Sequence, residues 1–120
     1  MSKAANSVFY FGLYLALLGI VLLANPNFLL NQFSIPETNE VWIRVVGMLV
    51  LFLAVYYTQT ARMEMTGFFW LTVYARAFVI LFFTAFVLME LVKPVLILFG
   101  AVDFLGAVWT WCALRANKGN

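Results

Sequence analysis

The chain of 120 residues is long enough for one domain, but its composition is far from that of a water-soluble protein. It is 66% apolar, 18% aromatic and only 10% charged, whereas soluble globular domains contain about 25% charged residues. The seven basic and five acidic residues give a formal net charge of +2, and the basic residues are scattered singly instead of forming a patch. This pattern argues against nucleic acid as a partner.

The residue types that support redox and metal chemistry are scarce. Cys112 is the single cysteine, so one chain can form neither an internal disulfide nor a paired-cysteine redox or zinc site. Histidine is absent, which removes the commonest transition-metal ligand and the usual haem ligand. We therefore expect no cofactor and no metal.

Four apolar runs follow one another along the chain, at about Ser7 to Ala24, Val41 to Thr60, Gly67 to Met89 and Pro94 to Leu114. Each is long enough to cross about 30 Å of hydrocarbon as a helix. The first run has no clear small-x-small cleavage site, so we expect it to be retained as a span. The sequence predicts an all-α, polytopic membrane protein whose residues 1–120 form a single four-helix transmembrane bundle.

The first connection, Asn25 to Glu40, is the longest. Asn25 followed by Pro26 is typical of a helix N-cap with proline at the first helical position, which predicts a short interfacial helix between helices 1 and 2. Ser34 and Glu37 have the spacing of a capping box, which favours a start of the second long helix near Ile35. The other connections are short and make sequential helices antiparallel neighbours.

Basic residues predict the orientation in the membrane. One side of the predicted spans is flanked by four basic residues, Lys3, Arg62, Arg115 and Lys118. Only Lys93 flanks the other side, where Glu37, Glu40 and Glu90 gather. The positive-inside rule then predicts a multi-pass protein of the bacterial cytoplasmic (inner) membrane with both termini in the cytoplasm.

Two ionisable residues lie deep within the predicted spans. Arg76 and Asp103 are each about nine residues, or roughly 13 Å, from opposite ends of the third and fourth helices, so their depths agree within a few ångströms. A charge near the bilayer midplane costs about 2.5 to 3.5 kcal/mol on insertion scales, which favours pairing between them. The pair either fixes helix packing or forms a site for a ligand, an ion or a proton.

Arg44 is the third member of this candidate charge cluster. If the membrane-spanning part of helix 2 begins at Val41, Arg44 lies one turn inside the outer boundary of the membrane and its side chain can extend to water. Counted from Pro36 it is about 12 Å deep and can reach Asp103. Both placements stay open at this stage.

Small residues recur at helical spacing on three of the predicted helices, which lets helix backbones approach closely. On helix 1 they are Gly12, Ala16 and Gly19. On helices 2 and 4 they share a stripe with a deep charge, in the sets Arg44, Gly47, Leu51, Ala54 and Thr58, and Gly100, Asp103, Ala107 and Thr110. The third helix is instead bulky, with Phe78, Phe82, Phe83 and Phe86. It is predicted to face lipid, a partner or an apolar ligand.

The sequence carries no Walker A loop, nucleophile elbow, HExxH or paired-cysteine signature. Small multidrug transporters have a similar length, but helix 1 here lacks a glutamate for proton and drug exchange. These observations favour a non-enzymatic protein over a membrane enzyme.

Five stretches together resemble a group of small four-helix bacterial inner-membrane proteins of the DoxX-like kind. They are Asn25-Pro26-Asn27-Phe28-Leu29-Leu30, Val41-Trp42-Ile43-Arg44-Val45-Val46-Gly47, Tyr56-Tyr57, Thr72-Val73-Tyr74-Ala75-Arg76, and Asp103-Phe104-Leu105-Gly106-Ala107-Val108-Trp109-Thr110. The resemblance implies a four-helix membrane bundle and no established activity. DoxX-like proteins are sometimes tied to oxidoreductase complexes, yet no residue here is suited to hold a redox centre.

The leading hypothesis is an accessory subunit, or a binder of a small lipophilic or anionic molecule at Arg44, Arg76 and Asp103. The alternative is a small oligomeric transporter or channel in which these charges line the pathway. The expected partners are the lipid bilayer and either another membrane protein or further copies of this chain.

Overall fold

The computed structural model describes residues 1–118, with side chains described through Ala116, and this part of the chain is all-α. The helices are α1 (Lys3–Ala24), α2 (Pro26–Gln32), α3 (Trp42–Arg62), α4 (Thr66–Leu88) and α5 (Leu96–Lys118). By length and composition, α1, α3, α4 and the Leu96–Ala116 part of α5 can each cross a membrane. These four helices coincide, within a few residues, with the four apolar runs of the sequence.

Helix α2 begins as its sequence predicts. The Asn25 side chain accepts a hydrogen bond from the Phe28 backbone N–H, and Pro26 occupies the first turn, where its missing N–H costs nothing. Pro26 and Leu30 are buried, while Phe28 is exposed. The predicted N-cap and the short helix after the first long helix are therefore confirmed.

The prediction that the next helix starts near Ile35 is wrong, because α3 begins at Trp42. Ser34 has a positive φ of 57°, so the backbone turns away from a helical path there. The Glu37 carboxylate does not cap a helix but accepts a hydrogen bond from the Asn31 side-chain amide at 2.8 Å. The capping-box spacing of Ser34 and Glu37 therefore does not begin a helix here.

The described residues group into two compact units. The α1–α3 unit consists of Phe9–Gln59 and holds most of α1, all of α2 and most of α3. The α4–α5 unit consists of Met1–Val8 and the described residues from Thr60 onward. Helix α1 therefore contributes its first turns to one unit and its remaining length to the other.

Within the α1–α3 unit, the two long helices approach each other closely through glycines. A Cβ atom on Gly19 would lie 2.9 Å from the Leu51 backbone nitrogen and 3.0 Å from the Gly47 carbonyl oxygen. A Cβ atom on Gly47 would lie 2.8 Å from the Leu22 Cβ. A Cβ atom on Gly12 would likewise lie close to Thr58. Because later positions in α1 contact earlier positions in α3, the two helices are antiparallel. The small-residue stripes of the sequence mark this packing face.

Within the α4–α5 unit, Gly100 plays the corresponding role. A Cβ atom at this position would lie 3.0 Å from the Ile80 Cα and 3.2 Å from the Phe83 ring. Ala107 and Thr110, on the same stripe of α5, are buried. Phe78 and Phe82 are exposed, which places them on an outward face of α4.

Candidate functional site

Four polar side chains are buried in the α4–α5 unit: Ser7, Thr72, Arg76 and Thr110, which we call the Arg76 cluster. None is more than 3% exposed. They come from the first turns of α1, from α4 and from α5. Because polar groups without partners are costly in an apolar surrounding, the geometry of their hydrogen bonds decides what the cluster can do.

The Arg76 guanidinium is held by two threonines. Its Nη2 atom donates to the Thr110 hydroxyl at 2.8 Å and to the Thr72 hydroxyl at 3.0 Å, and its Nε atom donates to the Thr72 carbonyl at 3.2 Å. Thr72 lies one turn before Arg76, so the long side chain points toward the start of α4. At 1.5 Å per residue, Thr72 is about 9 Å from the first residue of α4, which makes the charge shallower than the Arg76 backbone.

The hydroxyl protons of the cluster can be assigned from the acceptors around them. The Thr72 hydroxyl donates to the Phe69 carbonyl and the Ser7 hydroxyl donates to the Ala4 carbonyl, both at 2.7 Å. The Ser7 and Thr110 hydroxyl oxygens are also 2.7 Å apart. Because the Ser7 hydroxyl already donates its proton to the Ala4 carbonyl, the Thr110 hydroxyl is the donor in this bond. The Thr72 and Thr110 hydroxyls thus present oxygen lone pairs toward the positive charge and their protons away from it.

Asp103 lies on the same stripe of α5 as Thr110 and is half-buried. In the antiparallel α4–α5 pair, Gly100 lies opposite Ile80, which places Asp103 near the level of the Arg76 backbone. Asp103 therefore lies at about the level of Arg76, while the Arg76 hydrogen bonds described above go to threonines. The pairing of the two charges stays a prediction.

Arg44 belongs to the α1–α3 unit, in the first turn of α3, and it is exposed. Its Nη1 atom donates to the carbonyl of Leu23 and, at 3.4 Å, to the carbonyl of Ala24. These are among the last carbonyls of α1, which lack partners within their own helix. A positive charge is also favourable at the negative end of the helix dipole. The structure thus gives Arg44 a helix-capping role, and its membership of a shared site stays a prediction.

Sequence reasoning missed two members of the Arg76 cluster. Thr72 and Arg76 have the i,i+4 spacing that brings side chains together on a helix, and this signal was available. Ser7 gave no such signal, because its partner Thr110 is 103 positions away. Only the packing of α1 against α5 identifies it.

A second polar contact joins the chain start to the turn between α3 and α4. The Ser2 backbone N–H donates to Glu64 Oε1 at 2.6 Å and the Ser2 hydroxyl donates to Oε2 at 2.8 Å. These hydrogen bonds stabilise the carboxylate and lower the pKa of Glu64. Both oxygens of this exposed acid are therefore engaged at one end of the α4–α5 unit.

Among the described residues, no group of three or more histidine, cysteine or acidic side chains is arranged to hold a metal ion. Cys112 is exposed. No family model, characterised protein or solved structure matches the chain. The resemblance to DoxX-like proteins therefore stays a prediction.

Proposed function

We propose that this chain is an integral membrane protein that crosses the bilayer four times, through α1, α3, α4 and α5. The strongest support is that charged and polar side chains are buried while large apolar side chains are exposed, which is the reverse of a water-soluble protein. The Arg76 cluster is buried, whereas large apolar side chains in the same helices are exposed, with Leu17 at 65%, Leu71 at 67% and Leu105 at 66%. Such a surface is unfavourable in water and favourable in hydrocarbon.

We propose further that it resides in the bacterial cytoplasmic membrane with both termini in the cytoplasm. The basic flanks described above support this orientation through the positive-inside rule. The DoxX-like resemblance supports the choice of membrane.

Single-cysteine labelling tests this topology. In a Cys112→Ser background, cysteines at Lys3 and Arg62 should react with a membrane-impermeant thiol reagent only after the cells are opened. Cysteines at Glu37 and Lys93 should react in intact cells. Labelling of the last two positions from the cytoplasmic side alone would overturn the orientation.

Within the membrane, we propose a non-enzymatic role as an accessory subunit of a membrane complex. The hydrogen bonds of Arg76 support this choice, because its Nη2 and Nε atoms donate to Thr72 and Thr110 and so join α4 to α5 within the chain. Its role is then to fix the packing of α4, α5 and the start of α1. Asp103, half-buried inside a span, supports the second candidate, a small oligomeric transporter or channel with this carboxylate on the pathway.

Purification and flux separate the two candidates. For an accessory subunit, mild-detergent purification from the native membrane is expected to recover a second membrane protein in stoichiometric amount, and the isolated chain in liposomes should give no ion or proton flux. An Asp103→Asn variant serves as the control. Flux from the wild-type chain that Asp103→Asn abolishes would establish the transporter instead.

A further inference from the structure

We propose that one end of the α4–α5 unit binds the phosphate groups of anionic phospholipids through Lys3, Arg62 and Arg115, which we call the cationic rim. All three side chains are exposed and all three belong to the same compact unit. This inference rests on the proposed function, which places this end of the chain at the cytoplasmic leaflet. It adds the chemical class of lipid and the residues that recognise it.

Hydrogen bonds bring two of the cations to the same place. Ser2 is bonded to both carboxylate oxygens of Glu64, at 2.6 and 2.8 Å. Lys3 directly follows Ser2, and Arg62 lies two residues before Glu64 in the turn between α3 and α4. The start of α1, which carries Lys3, and the end of α3, which carries Arg62, therefore lie at the same end of this unit.

The Ser7 to Thr110 hydrogen bond fixes the position of Arg115 relative to Lys3 along the helix axes. Lys3 lies four residues before Ser7 in α1, which is about 6 Å along the helix axis, and Arg115 lies five residues after Thr110 in α5, which is about 7.5 Å. The Ser2 to Glu64 contact puts the start of α1 at the end of the unit that carries Arg62. Helix α5 runs toward that end as well, because Gly100 lies opposite Ile80 whereas Thr110 contacts the earlier residue Arg76. Lys3 and Arg115 thus reach nearly the same level.

The side chains of the cationic rim suit a lipid headgroup. The Arg115 guanidinium stacks over the Trp111 ring at 4.9 Å, which orders the planar fork that binds phosphate in a bidentate manner. The oxygens of Glu64, the acid in this turn, are engaged by Ser2. Met63 and Met65 are 68% and 44% exposed beside it, which provides apolar contact below the headgroups. The anionic cytoplasmic leaflet supplies a matching charge.

Lipid titration of the purified full-length chain tests this proposal. Phosphatidylglycerol and phosphatidylcholine with identical acyl chains are added in mild detergent, and bound lipid is measured by native mass spectrometry. We expect the wild-type chain to prefer phosphatidylglycerol, and the triple variant Lys3→Gln, Arg62→Gln and Arg115→Gln to bind it about a hundredfold more weakly. That change corresponds to roughly 3 kcal/mol, or about 1 kcal/mol per basic residue.

Lys93→Gln is the matched control, because it removes one positive charge near the other end of α4 and α5. It should leave the affinity unchanged, while Arg115→Gln alone should lower it by about fivefold. Equal affinity of the wild-type chain for the two lipids, or equal loss in both single variants, would overturn the proposal. Displacement of the lipid by millimolar inorganic phosphate would overturn it in favour of a site for free phosphate.

The failure of this inference can be distinguished from failure of the proposed function. If the wild-type chain stays in membranes during alkaline extraction but shows no preference for phosphatidylglycerol, only the lipid site is wrong, and the cationic rim is then available to an acidic protein. If alkaline extraction releases the chain, the four-span proposal and the lipid site fall together.

Discussion

Replacing Arg76 with leucine is expected to lower the free energy of unfolding in mild detergent by roughly 3 to 5 kcal/mol. Arg76 is only 2% exposed, and its guanidinium donates to Thr72 and Thr110. The substitution leaves those hydroxyl oxygens without their donor and removes the positive charge that lies at about the level of the Asp103 carboxylate. Each of these groups then carries a desolvation cost that the native structure offsets.

The double substitution Arg76→Leu with Asp103→Leu measures the interaction between the two charges. If they stabilise each other, the double variant should be more stable than Arg76→Leu alone, with a coupling free energy of about 0.5 to 3 kcal/mol. Additive losses would contradict the pairing. Arg44→Leu is the control at an exposed arginine that caps α1, and we expect it to cost only about 1 kcal/mol.

Replacing Gly19 with leucine should destabilise the chain by about 3 kcal/mol. The first added carbon would already lie 2.9 Å from the Leu51 backbone nitrogen and 3.0 Å from the Gly47 carbonyl oxygen. Both atoms belong to the α3 backbone and cannot move aside as a side chain can, so α1 and α3 must separate. In a bilayer, close packing of this kind is a main source of helix association, because lipid is as apolar as the helix surface.

Gly67→Leu provides the matched control for this change. Gly67 is also helical and also gains a leucine side chain, but nothing lies within 4 Å of its ideal Cβ position. Its free energy of unfolding should change by no more than about 0.5 kcal/mol. Thermal unfolding of both variants in the same detergent compares them directly, and equal losses would contradict the role of close α1–α3 packing.

The helices of this chain follow directly from local sequence properties. Long apolar runs, the Asn25 cap and proline at position 26 predict α1 to α5 because each feature acts within one or two turns of the backbone. The apolar run that begins at Val41 located the start of α3 to within one residue, whereas the capping-box spacing near Ile35 did not, because Asn31 binds Glu37 and Asn27 binds the Thr38 backbone N–H across 6 and 11 positions. Local capping preferences of about 1 kcal/mol are easily outweighed by such contacts.

The sequence pointed to the charged residues Arg76 and Asp103, but it did not identify the hydrogen-bond partners of Arg76. Arg76 and Asp103 stand out in the sequence because ionisable residues are costly in an apolar span, and antiparallel neighbours brought them to one level. The hydrogen-bond partners of Arg76 did not follow from that reasoning, since threonine and serine are common in spans and carry no distinguishing charge. Thr110 was recognised as a packing residue, but its bonds to Arg76 and Ser7 depend on how α4, α5 and α1 meet.

The sequence by itself therefore determined the number of long apolar helices, the short helix after the first, and the small-residue faces through which the helices approach. These depend on composition and on the 3.6-residue period of one helix. The tertiary structure decided which polar groups satisfy one another: Arg76 with Thr72 and Thr110, Ser7 with Thr110, Arg44 with the end of α1, and Ser2 with Glu64. Most of these bonds join residues distant along the chain, so their geometry is set by helix packing and has no counterpart in local sequence.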